Sequence, residues 1–188
     1  MLLGKKVVSL GVEESYSYVL FGLVDGSCYF YDLRQILTEN PSKVLLSNRN
    51  CWMAAEHRIN FCFLSSKLEQ VQNSFSAFTS SVGTKVVWWQ LLYSGEGHAS
   101  FKAVKLAVFA ANSNYTLPGQ VISMCVCKTS CEALVFGDIR GKIHVCNLKQ
   151  DPDADSENDL LSDAILEDVH GSDKVSCLVT YNDRIYSG

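Results

Sequence analysis

Apolar positions along this chain fall in short runs broken by Gly, Asp, Asn and Ser, with little of the spacing a helix would need. The run Tyr18–Gly22 (YVLFG) leads into a polar turn at Asp25-Gly26 and then into Tyr29, Phe30 and Tyr31. The run Ala133–Gly137 (ALVFG) leads in the same way into Arg140-Gly141 and then Ile143, His144 and Val145. Aromatic and β-branched residues in runs this short predict strands. The glycine between each pair can take the positive φ that a tight hairpin requires. Further strands are predicted at QVISMCVC (120–127), at KVSCLV (174–179) and at FKAVKLAVFA (101–110), the last as an outer strand. Residues 41–75 assign to strands only loosely. Helical spacing is confined to ENDLLSDAILEDV (157–169), enough for a turn or two.

The hairpin unit recurs. FGLVDGSCYFYDL (Phe21–Leu33) aligns without a gap on FGDIRGKIHVCNL (Phe136–Leu148), and FTSSVGTKVVWWQL (Phe78–Leu91) is a looser copy between them. The turn glycines Gly26, Gly83 and Gly141 are 57 and 58 residues apart. A fourth copy begins at DRIYSG, where Gly188 stands in the place of Gly22 and Gly137. Hairpins are therefore expected near 18–33, 78–91 and 133–148, with the start of another at 174–188. About four strands per repeat is what a propeller blade with a loop insertion needs. The predicted fold is all-β: an incomplete β-propeller over residues 1–188, with about three blades and part of a fourth. So few blades cannot close a ring of four to eight, so the chain is expected to be a piece of a longer propeller protein.

The ends of these hairpins carry a family resemblance. The terminal pairs Tyr31-Asp32, Trp89-Gln90 and Cys146-Asn147, with Gly97-His98 and the inverted His170-Gly171 upstream, resemble the Trp-Asp and Gly-His signatures of WD-repeat β-propellers. VFGDIRGKIHVCNL followed by VHGSDKVSCLVTYNDRIYSG is further similar to the WD-repeat accessory subunits of tRNA 2'-O-methyltransferases acting on the anticodon loop. Ile139 stands where that pattern has a basic residue. The resemblance implies a non-catalytic scaffold with protein partners, a tRNA 2'-O-methyltransferase foremost, and tRNA reached through the complex. It also implies that His170 is a structural hydrogen-bonding residue at a strand junction.

Composition adds limits. With 188 residues and 47% of them apolar, the chain can bury a real core. No apolar stretch approaches eighteen residues and no segment has the make-up of a signal peptide, so no membrane partner is expected and a cytoplasmic location is. Eight cysteines, most of them in strand-like runs, are read as reduced thiols. Eight of the 20 acids lie between Asp151 and Asp168, where there is no Lys or Arg; the remaining 12 acids face 16 bases, about +4. Residues 151–168 are read as an acidic insert between blades.

Chemistry is sparse in these residues. Counted from Asp151, the sixth and twelfth residues are Ser156 and Ser162, which breaks an EF-hand loop. Cys125, Cys127 and Cys131 have C-x-C-x3-C spacing and no second cluster for zinc. His57, His98, His144 and His170 sit in no acid–base motif, and no Walker loop, dinucleotide fingerprint or nucleophile elbow occurs. No catalytic residue, cofactor or metal site is assigned. Arg140 and Lys142, together at one turn, are the candidates for partner or RNA contact, with surface solubility as the plainer reading; Gly26, Gly83 and Gly141 are the repeat turns. Two alternatives stand beside the accessory subunit: another WD-repeat interaction scaffold, or a propeller-based hydrolase with Asp25, Asp138 and His170 converging on a channel.

Overall fold

The computed structural model describes residues 5–34, 50–66, 74–94, 101–110, 119–127, 132–149, 160–167, 169–171, 173–182 and 184–188. Strands take up 63% of these residues. The chain divides into two units, Met1–Ser81 with Trp88–Lys105, and Val82–Val87 with Leu106–Gly188.

The first unit opens with a four-stranded antiparallel sheet in sequence order: β1 (Val7–Val12), β2 (Tyr18–Leu23), β3 (Ser27–Asp32) and β4 (Cys51–Met53). β5 (Phe61–Ser65) and β6 (Ser74–Ser80) follow as an antiparallel pair; β7 (Lys85–Tyr93) and β8 (Phe101–Ala110) each have residues in both units. Phe30 is fully buried at the centre of an aromatic cluster. Its ring centroid lies 5.4 Å from Tyr18, 5.1 Å from Phe75, 5.5 Å from Tyr93 and 5.9 Å from Phe101. Pairs at such distances add to the area that each ring buries.

The second unit holds β9 (Val121–Cys127), β10 (Ala133–Asp138), β11 (Ile143–Asn147) and β13 (Ala164–Leu166) in one sheet of order β13-β11-β10-β9. β14 (Leu178–Tyr181) and β15 (Arg184–Ser187) form a separate antiparallel hairpin. Between β11 and β13 the two residues of β12 (Leu160–Leu161) pair in parallel with Phe109 and Ala110 of β8. The helical spacing over 157–169 is therefore overturned where it can be seen. Residues 160–161 and 164–166 are extended because their backbone groups find partners on β8 and β11, which a single helical turn could not offer. Residues 157–159 and 168 lie outside the described residues, as does Cys131, and as do Gly97 and His98.

The hairpins at 18–33 and 133–148 form as expected, and the contacts made by one recur in the other about 115 residues on. The Leu33 N–H donates to Ser17 O at 2.8 Å, and Leu148 N–H to Glu132 O at 2.7 Å. The Ile59 N–H donates to Leu23 O and the Val175 N–H to Asp138 O, both at 3.0 Å. Ser9 Oγ and Ser123 Oγ donate to the carbonyls of the same two residues, Ile59 and Val175. Gly22 and Gly137 lie under those side chains: a Cβ there would sit 2.6 Å from Ile59 Cγ2 or 2.5 Å from Val175 Cγ1. At the turns, φ is +85° for Gly26 and +80° for Gly141, and a Cβ would meet Ala55 O at 2.1 Å or Asp173 O at 2.5 Å. Gly83 is different. Its φ lies outside the left-handed region and a Cβ would meet nothing within 4 Å, so this glycine marks the β6–β7 connection without being required by it.

Candidate functional site

The turn from Asp138 to Lys142 joins β10 to β11, and Asp138 organises it. Its Oδ1 accepts from the backbone N–H of Arg140 at 2.8 Å and of Lys142 at 3.1 Å. Its Oδ2 lies 3.2 Å from His144 Nε2, and both side chains are fully buried. The hairpin register puts His144 directly across from Phe136, and the rings stack with centroids 4.8 Å apart and planes 15° from parallel. Burial by itself would raise the Asp138 pKa; the hydrogen bonds from His144, Lys142 N–H and Arg140 N–H outweigh it and hold the carboxyl below its ordinary value. Gly119 completes the enclosure, since a Cβ there would fall 2.7 Å from Asp138 Oδ2.

Held this way, the turn presents Ile139 and Arg140 to solvent. Lys142 is less open: its Nζ lies 3.0 Å from Glu167 Oε1, and its side chain is 21% exposed. The two basic residues singled out from the sequence thus share one turn, but Lys142 already faces a carboxylate. Glu167 is the residue that sequence reasoning missed. The cavity of about 280 Å³ lined by Ser162, Asp163, Ala164, Ile165 and Glu167 belongs to this same segment, and its two acids suit no anion.

The acids named for a hydrolase are all engaged. Asp25 Oδ1 accepts from Ser27 N–H and Oγ–H, and Lys5 Nζ lies 2.6 Å from Oδ2. Partial burial works to raise its pKa, and these partners prevail and bring it down to about 2. His170 Nε2 is 2.8 Å from Ser187 Oγ, at the last residue of β15. His57 is exposed. Among the terminal pairs, Asp32 is gripped by Arg34 through Nε at 2.9 Å and Nη2 at 2.7 Å, and Trp89 Nε1 donates to Thr79 Oγ1 at 2.9 Å.

Among the described residues the thiols are buried for the most part. Burial pushes Cys125 up to about 12, with Cys127 and Cys177 adding to it, and likewise pushes Cys146 up to about 12. Cys62 rises to about 11. Such thiols are protonated at neutral pH and unreactive while buried. No family model matches this chain, and no curated protein matches it.

Proposed function

We propose that this chain is a non-catalytic scaffold of the WD-repeat β-propeller type, serving in the cytoplasm as an accessory subunit for tRNA 2'-O-ribose methylation by a partner methyltransferase. In this reading β1–β4, β5–β8 and β9–β11 with β13 are blades, and β14–β15 begin another. The observation that carries it is the recurrence of one set of contacts at a spacing of about 115 residues. Ser9, Gly22, Gly26 and Ile59 in one copy answer to Ser123, Gly137, Gly141 and Val175 in the other. Stacked units that bury the same face against the next are the mark of repeat proteins, whose exposed rims hold partners. The His170–Ser187 hydrogen bond is a polar fastening of the kind the WD-repeat resemblance implies for His170.

The hydrolase reading draws less support. Its acids would need to offer a carboxylate to substrate, whereas Asp138 is fully buried and Asp25 is paired with Lys5. A different WD-repeat scaffold, with another partner, keeps the same physical basis. Affinity purification of the tagged protein from cells, with bound proteins identified by mass spectrometry and bound RNA by sequencing, separates these readings. A 2'-O-methyltransferase and tRNA are expected together. Recovery of neither overturns the accessory-subunit reading and leaves the scaffold.

A further inference from the structure

We propose that Glu167 acts as an intramolecular mask on Lys142, competing with the phosphates of an RNA for the basic turn. The inference rests on the reading of Arg140 and Lys142 as RNA contacts and adds its regulation. Strand pairing delivers the mask. β13 lies antiparallel on β11 with Ile143 opposite Leu166, His144 opposite Ile165 and Val145 opposite Ala164, so the next step of that register sets Lys142 opposite Glu167. The ion pair forms at 3.0 Å with side chains 21% and 48% exposed. One residue before β13, Asp163 Oδ2 accepts from the Asn147 N–H at 2.6 Å and fixes the other end of the segment.

Charge exchange at this position is physically easy. This ion pair is partly exposed, and a pair that water reaches contributes little, because solvent screens it and two long side chains must be held still. A phosphodiester can therefore take the place of Glu167 on Lys142, next to the exposed Arg140, at small cost. The site favours a nucleic acid over an acidic peptide. A peptide adding to the sheet would pair along β13, the edge of the order β13-β11-β10-β9, and would read backbone groups there rather than the cationic side chains of the turn. What the turn offers is cationic side chains, which suit a phosphate backbone.

The test measures binding of a single-stranded oligouridylate by fluorescence anisotropy over a range of salt concentrations. Glu167→Gln is expected to tighten binding about two- to five-fold. It should also steepen the slope of log affinity against log salt by about 0.7, the contribution of one more phosphate contact on a single strand. Lys142→Gln added to that variant should abolish both gains. Unchanged affinity and slope in Glu167→Gln, with binding still weakened by Arg140→Gln, overturns the mask and keeps the RNA contact. Binding insensitive to Arg140→Gln and Lys142→Gln overturns the contact itself. Capture of an acidic peptide in place of the oligonucleotide overturns the choice of ligand.

Discussion

His144 Nε2 lies 3.2 Å from Asp138 Oδ2, with solvent reaching neither side chain. A buried carboxylate is stable only when its lone pairs are used, and here two turn amides and an imidazole use them. The pair fastens a turn that would otherwise have only backbone bonds to hold Arg140 at the surface.

Removing the carboxylate should be costly. Asp138→Ala leaves His144 and two backbone N–H groups without their acceptor, and is expected to destabilise the second unit by about 3 kcal/mol. Urea unfolding followed by circular dichroism measures this. A change within about 0.5 kcal/mol would mean that the turn is held by other means.

The pH dependence has a definite sign. The folded pKa of Asp138 is lowered, so its contribution is present above the ordinary carboxylate value of about 4 and is lost as pH falls through the lowered value. Asp138→Asn should flatten the loss of stability as pH falls below about 4, relative to the unsubstituted chain. Parallel curves over that window would contradict the assignment.

The three repeat glycines should part company. Gly141→Ala and Gly26→Ala force a Cβ into left-handed backbone and against a carbonyl oxygen, and each is expected to cost about 2 kcal/mol or more. Gly83→Ala meets nothing and should be neutral, or stabilising by a few tenths of a kcal/mol through the unfolded state. Equal losses at all three positions in chemical denaturation would refute the distinction.

Phe30 anchors the first unit. Phe30→Ala should lose about 3–5 kcal/mol, by emptying a site lined by four other rings. Phe30→Leu, which fills most of the volume, should lose clearly less. A smaller loss for the alanine variant than for the leucine variant would argue that the cluster collapses around the gap.

Thiol labelling should follow exposure. At pH 7.5 Cys177, which is exposed, is expected to react with iodoacetamide ahead of Cys125 and Cys146, which should react only on unfolding. Peptide mapping of a labelling time course reads this directly. Early labelling of Cys146 would show that β11 opens in the native state.

How much of this could be read in the chain depends on distance along it. Tyr18–Leu33 and Ala133–Leu148 were legible because a hairpin is a local object, with its alternation, its glycine and its closing residues within one short window. The strands Cys51–Met53 and Phe61–Ser65 were hard to place because runs so brief carry little periodicity. Asp138 and His144 are only six residues apart, yet the spacing means nothing until the register sets His144 across from Phe136 and turns it toward the carboxylate.

The sequence by itself determined the strand content, the recurring hairpins and the turns at Gly26 and Gly141, since backbone sterics and side-chain alternation act between near neighbours. Tertiary structure alone decided that Leu160–Leu161 would lie parallel to β8, that Ala164–Leu166 would be extended rather than helical, and that Glu167 would meet Lys142. Those outcomes rest on which distant strand offers unpaired N–H and C=O groups, and no local window of residues contains that information.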